Sequence, residues 1–500
     1  MSFTNHSRPD RPVSAITSGS LAPADPGNSE FARAPRLLNR PFHAPTVNYE
    51  TIPLAHPFLW LILGASLFVF VWLLPAASYE RFLEEPNFIS LDVPTLLFNC
   101  GCLATTMVGL FVGMHGRVSS DQVRTFNPDP LKGAPVTAVG LVVVLTLMNL
   151  ASVALFLRAG GVQAFTMALS GHSDFIHTLN NNAEQSGMSG KSWILFLSMS
   201  SVVFALVWVT ARNHRPSSIM RWLFWAFVVT YFVAAICTGK RNYLARPFFS
   251  MMLIYFVWPR RSLSMRGAVA VCVAALSLML VVFVSASVLR DDVRHLDEAL
   301  GVMGRYMIAP FNNEALIVNN ILDYPGGGTG YYWTEWFWDF PVVSDVLDLE
   351  SIRFELFGEM PPQGPRERGA VLMAHGIRST TNLTSFGASY IDFGWMGVFP
   401  FFVVGWIGGA VWKSFLRGSY VGILLYPQFA YSLVECRGNI IFPEALTNHA
   451  IIAITLIAIC LLLERPKVRV TPTTRHDEVA NDVTSYSQGQ SSSPMSAEAN

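Results

Sequence analysis

The chain has 500 residues, of which 52% are hydrophobic and only 14% charged, with Lys+Arg and Asp+Glu balanced at 34 each. Soluble domains carry roughly a quarter charged residues, and a soluble fold could not hide this much apolar surface, whereas a bilayer can. The zero balance by itself says nothing about partners, and no nucleic-acid partner is expected.

Residues 1–56 are polar and rich in Pro, Ser and Ala, and read as a disordered cytoplasmic tail without a cleavable signal. The first apolar segment is then both targeting signal and first anchor. A span needs about 20 mostly apolar residues, because the hydrocarbon layer is about 30 Å thick. Candidate spans are 57–76, 93–114, 136–158, 193–211, 219–238, 243–258, 267–288, 394–413, 418–435 and 446–463. The expectation is an all-α, polytopic transmembrane bundle of about ten spans. It divides into spans one to seven at 57–288, one long periplasmic loop at 289–383, spans eight to ten at 384–463, and a second disordered cytoplasmic tail at 464–500. Arg246 and Pro247 fall within 243–258, which predicts a tilted or broken helix. Gly109/Gly113 and Gly405/Gly409 are small-residue spacings that predict close helix packing.

Basic residues in short loops are retained in the cytoplasm. With the N-terminus inside, the inner loops hold Arg117, Arg124 and Lys132, then Arg212 and Arg215, then Arg260, Arg261 and Arg266, then Lys413 and Arg417. The first outer loop is acidic, with Glu80, Glu84, Glu85 and Asp92 against Arg81. One outer turn breaks the rule: Gly239-Lys240-Arg241-Asn242-Tyr243, with Arg246 just beyond. Either its neighbours drag this hairpin across, or its cations face an anionic ligand at the outer surface.

The long outer loop carries Arg290, Arg294, Arg305, Arg353, Arg366, Arg368 and Arg378 beside Tyr331, Tyr332, Trp333, Trp336, Phe337, Trp338 and Phe340. Such aromatics suit sugar stacking beside cations, and equally suit the membrane interface. Pro325-Gly-Gly-Gly-Thr-Gly330 lacks the Gly-Lys-Ser/Thr ending of a phosphate loop and reads as a flexible turn. Cys100, Cys102, Cys237, Cys272, Cys436 and Cys460 mostly sit in apolar runs and make no metal-binding spacing. No metal, cofactor or disulfide is expected. The spans are nearly free of acids, which counts against proton-coupled transport.

Thr380-Thr-Asn-Leu-Thr-Ser-Phe-Gly-Ala-Ser-Tyr-Ile-Asp-Phe-Gly-Trp-Met-Gly397 resembles the signature of bacterial O-antigen and exopolysaccharide polymerases of the Wzy type. In that family a polar stretch leads into Asp/Asn-Phe-Gly-x-x-Gly after the large periplasmic loop, and Tyr390, Asp392, Phe393, Gly394 and Gly397 fit. Thr238-Gly-Lys-Arg-Asn-Tyr243 resembles the family's arginine-bearing periplasmic turn, and Arg305-Tyr-Met-Ile-Ala-Pro-Phe-Asn312 the start of its loop. Arg290, ten residues and then Gly301 matches a looser spacing of some members. The likeness is mostly architectural, covers roughly 57–463, and is shared with O-antigen ligases.

The resemblance implies a metal-independent glycosyltransferase of the bacterial inner membrane, joining oligosaccharide repeat units carried on undecaprenyl pyrophosphate. A hydroxyl of the incoming repeat attacks the anomeric carbon of the growing chain, and the lipid pyrophosphate leaves. A chain-length regulator and a flippase of the same pathway are implied partners, alongside the bilayer. Guanidinium groups bind phosphate oxygens bidentately, so Arg241, Arg246 and Arg305 are the leading pyrophosphate ligands. Arg290, Arg294, Arg378 and Arg437 are further candidates, with His375, His295, Asp392 or Glu314 as general base. Three other readings stay open: an O-antigen ligase, a non-enzymatic transporter or flippase of lipid-linked sugar, and a membrane sensor or scaffold.

Overall fold

The computed structural model describes residues 51–115, 135–158, 160–162, 190–213, 218–237, 241–258, 264–290, 296–338, 340, 343–358, 365–377, 383–435 and 450–458. The expectations for residues 1–50 and 464–500, and those for Arg294, His295, Arg378 and Arg437, lie outside the described residues. Among the described residues the architecture is all-α, with no strand. Besides the short turns Ile52–Ala55 and Val343–Val346 and helical residues 450–458, the helices are α1 Pro57–Leu73, α2 Ala76–Leu83, α3 Val93–Met114, α4 Pro135–Arg158, α5 Gly190–Asn213, α6 Ser218–Cys237, α7 Arg241–Val257 and α8 Met265–Arg290. They continue with α9 Leu296–Val318, α10 Tyr331–Trp338, α11 Leu349–Phe357, α12 Pro365–Met373, α13 Ser385–Phe393, α14 Pro400–Leu416 and α15 Tyr420–Glu435.

Local chemistry fixes several boundaries. His56 caps α1 by accepting from the Phe58 amide, and Pro57 supplies the first helical residue. Asp92 caps α3 through a 3.0 Å bond from Thr95 N to its carboxylate. Thr384 caps α13 by accepting from Gly387 N at 2.9 Å. Gly394, at φ +56° and ψ −138°, ends α13 in a conformation that L side chains rarely adopt. A 3₁₀ segment, Gly394–Val398, then leads to Pro400, and the chain turns by 92° into α14. Pro247 does not break α7, which runs on to Val257.

Val93–Met114 and Val139–Arg158 are long and apolar enough to cross a membrane, and Ser385–Val398 with Pro400–Leu416 adds a third if that bent pair is one broken span. Pro57–Leu73, Leu197–Val209, Arg221–Ile236, Tyr243–Val257, Met265–Leu278 and Tyr420–Val434 are apolar but shorter. About ten spans were expected, so stand-alone spanning helices match that count only in part. α1 stops after 17 residues because Leu74 turns extended ahead of Pro75.

α3 and α14 form the tightest helix pair. Gly109 and Gly113 lie against the backbone of Phe402 and Trp406, and Gly405 lies against Thr106. Thr105 Oγ1 donates to Val398 O at 2.8 Å, and Lys413 Nζ to His115 O at 2.8 Å. Residue numbers rise together along both helices, so the pair is parallel. Lipid tails are as apolar as leucine, so such close backbone packing substitutes for a hydrophobic drive. The outward faces are apolar too: Leu97, Val108 and Phe111 on α3 and Val403 and Trp406 on α14 are all exposed.

Other contacts gather chain ends into two groups. Thr51 Oγ1 donates to Phe256 O, Tyr426 OH donates to Ala55 O, His56 packs edge-on to Trp412, and Trp258 meets Phe415. Elsewhere Ser198, Tyr231, Tyr243, Arg246 and Tyr431 converge. The expected outer loop is itself helical, and its α9 packs against α1, α2, α3 and α13. Asn312 clamps it to the segment between α2 and α3: its side chain accepts from Phe88 N at 2.7 Å and donates to Pro86 O at 2.9 Å.

Candidate functional site

Arg246 lies one and a half turns into α7, half-buried, with its guanidinium 5.5 Å from the Tyr243 ring and 5.6 Å from the Tyr431 ring. The tyrosines are fixed in turn. The Tyr243 hydroxyl bonds Ser198 Oγ at 2.5 Å, and Tyr231 OH donates to Tyr243 O at 2.5 Å. No carboxylate pairs with Arg246 among the described residues, and its buried Nε has no hydrogen-bond partner there. Two aromatic faces contribute about 0.5–2 kcal/mol each toward holding a cation, and leave its N–H edge free for an anion. Four helices, α5, α6, α7 and α15, build this cage.

The second polar cluster is at α3, α9 and α13. Glu314 on α9 is completely buried. Thr384 Oγ1 donates to Glu314 Oε2 at 2.5 Å, and Asn99 of α3, also completely buried, faces the same carboxyl. Burial pushes the Glu314 carboxyl up to about 8, against the downward pull of Thr384 and Asn99, with Asp92 adding a smaller upward push. At neutral pH it holds its proton.

Asp392 occupies the third position. Its Oδ2 accepts from Trp333 N at 2.8 Å, at the open N-terminus of α10, and the carboxylate is buried at 4% exposure. It thus serves as a cap supplied from α13 to the aromatic helix. The glycine-rich turn runs alongside. Gly326, Gly328 and Gly330 have φ of +75°, +79° and +76°, and Gly328 N donates to Ile391 O at 3.0 Å. The expected flexible turn is a packed one. Tyr331 and Tyr332 are buried, and Arg353 of α11 lies 5.0 Å over the Tyr331 ring, itself buried at 4%.

Arg305 sits half-buried on α9, and His375 half-buried after α12, with Nδ1 3.2 Å from Val371 O. Arg246, Arg305, His375 and Asp392 are not hydrogen-bonded or ion-paired to one another. Arg241 opens α7 and Arg290 closes α8, but their side chains lie outside the described residues, as do those of Arg366 and Arg368. Sequence reasoning missed Asn99, Thr384, Ser198 and Tyr431. Asn99, Ser198 and Tyr431 are polar residues inside apolar helices and Thr384 caps one, and their partners lie on distant segments, so periodicity alone assigns them to packing. No family model, curated protein or solved structure matches this chain.

Proposed function

We propose that the protein polymerises undecaprenyl-pyrophosphate-linked oligosaccharide repeat units at the periplasmic face of the bacterial inner membrane, as a ten-span protein with both termini in the cytoplasm. The observation that carries this reading is Arg246, a half-buried guanidinium between two tyrosine rings with no carboxylate partner among the described residues. Cations at membrane depth need a counter-charge, and a lipid diphosphate supplies one. The two groups of converging ends support the alternation of spans. One group unites residues that positive-inside orientation puts in the cytoplasm, the other residues that it puts outside.

In the reaction, an acceptor hydroxyl forms a bond to the anomeric carbon as the bond from that carbon to the pyrophosphate oxygen breaks. The acceptor proton passes to a base, and charge grows on the departing diphosphate. Arg246 meets that charge in a site of low dielectric constant, with Arg241 five residues earlier on α7 and Arg305 of α9 as further ligands. The aromatic helix α10 offers stacking faces for the glycan, with Phe337 exposed and Trp333 and Trp338 half-buried.

The test is the length distribution of the polysaccharide in the native host with Arg246→Ala and Arg246→Lys. Loss of long chains, with single repeats still made and the protein still inserted, is the expected result. Normal lengths in both variants remove Arg246 from the site. Accumulation of long carrier-linked chains points to the ligase reading instead, and loss of lipid-linked repeats from the outer leaflet points to the flippase.

A further inference from the structure

Glu314 is a buried carboxyl that the glycan chemistry does not use. Thr384 Oγ1 accepts from Gly387 N and donates to Glu314 Oε2, so the direction of that chain is fixed. Gly387 presses on the same side chain: a Cβ there would lie 3.3 Å from Glu314 Cβ and Cγ. On the other side, Glu314 Oε1 and both amide atoms of Asn99 are buried and make no well-formed hydrogen bond among the described residues, although Asn99 faces the carboxyl. No Lys or Arg among the described residues pairs with the carboxyl. An ionised carboxylate in such a place, without a cation beside it, is strongly disfavoured. One proton resolves the arrangement: with the Asn99 amide turned so that its carbonyl faces Glu314, Oε1–H donates to that carbonyl while Oε2 keeps Thr384.

We propose that Glu314 is a positioning residue acting as an uncharged acid, whose proton closes a hydrogen-bonded bridge from Asn99 on α3 to Thr384 on α13 and so pins α9, the helix carrying Arg305. The inference stands on this junction and not on the polymerase reading. Titratable or charged groups on the elements packed against α9 are Asp92, Cys100 and Cys102 of α3, Tyr79, Glu80 and Arg81 of α2 with Glu84 and Glu85 just beyond it, Tyr390 and Asp392 of α13, and Arg266, Cys272 and Arg290 of α8; α1 has none. The Asp92 charge reaches Glu314 and opposes its ionisation, and Glu314 in turn acts on the Cys102 thiol.

Glutamine copies the neutral acid, offering one donor to Asn99 and one acceptor to Thr384. The experiment compares full-length wild type, Glu314→Gln and Glu314→Ala in detergent micelles by thermal unfolding from pH 4 to 9.5, with hydrogen exchange of residues 308–318 as second readout. The folded carboxyl releases its proton near 8 and the unfolded one near 4.5, so wild-type stability falls as pH rises across that interval and levels off above it. Glu314→Gln should match wild type at the acid end, exceed it increasingly toward pH 8, and keep residues 308–318 protected at pH 9, where wild type exchanges faster. Glu314→Ala should be less stable throughout. A glutamine variant that unfolds like alanine, fails to insert, or follows the wild-type pH profile overturns the proposal.

Discussion

Gly109 of α3 rests against the Phe402 carbonyl of α14 so closely that no side-chain atom fits between them. Gly405 repeats the relationship from the other helix, meeting the Thr106 carbonyl. Because the obstacle is backbone on both sides, it cannot rotate away. Gly109→Ala and Gly405→Ala should each lower stability by about 1–3 kcal/mol, seen as a fall in unfolding temperature. Gly140→Ala, on α4 with nothing within 4 Å of the added Cβ, should leave it unchanged or slightly raised. Equal effects at all three positions would mean that α3 and α14 do not pack as described.

Asp392 separates a capping role from a catalytic one. As a cap it needs an acceptor for Trp333 N and no proton chemistry. Asp392→Asn preserves an acceptor oxygen and should retain polysaccharide length and stability. Asp392→Ala leaves that amide unpaired in a buried setting and should cost about 1–3 kcal/mol. A general base would show the opposite pattern, with the asparagine variant inserted and stable yet making only single repeats.

Tyr243 has two attachments that can be cut separately. Tyr243→Phe loses the bond to Ser198 but keeps the ring over Arg246, and should cost about 0.5–1.5 kcal/mol with chain length preserved. Tyr431→Ala removes one wall of the cage. It should shorten the polysaccharide, because Arg246 is then free to swing out of place. Full-length product from Tyr431→Ala, with the protein present at normal levels, would show that the cage does not hold the cation for the reaction.

The helices were legible because lipid imposes one rule on every span: the segments at 93–114 and 136–158 had to be helical to satisfy their own backbone. The glycine pair at 109 and 113 was legible for a similar reason, since small residues one turn apart leave a groove. The polar junction was not. Asn99 lies seven residues into an apolar helix, and nothing in its neighbours says that Glu314, more than two hundred residues later, will face it. Asp392 was singled out for its motif, but its use as a cap depends on Trp333 arriving through the glycine turn. Arg246 stood out as a charge within an apolar run, whereas its tyrosine cage draws on Tyr431 from a distant helix.

The parallel pairing of α3 and α14 also makes a claim about sidedness that is independent of which side the N-terminus occupies. α3 starts beyond Glu84, and α14 ends at Arg417, the residue on which it caps. Two parallel spans begin on one side and end on the other. If the bent pair that ends in α14 is one span, exposed Glu84 and Arg417 therefore face opposite compartments, and Ser264, exposed before α8, joins Arg417 if the charge pattern sets the orientation. Single cysteines at the three positions, in a background lacking the native ones, can be tested with a membrane-impermeant maleimide. Glu84→Cys should react in intact cells, while Ser264→Cys and Arg417→Cys react only after lysis. Labelling of 84 and 417 from the same side would contradict the helix pairing itself. Labelling on opposite sides with the order reversed would keep the pairing and turn the protein over, which would carry the Arg246 cage to the cytoplasmic face and away from any periplasmic substrate.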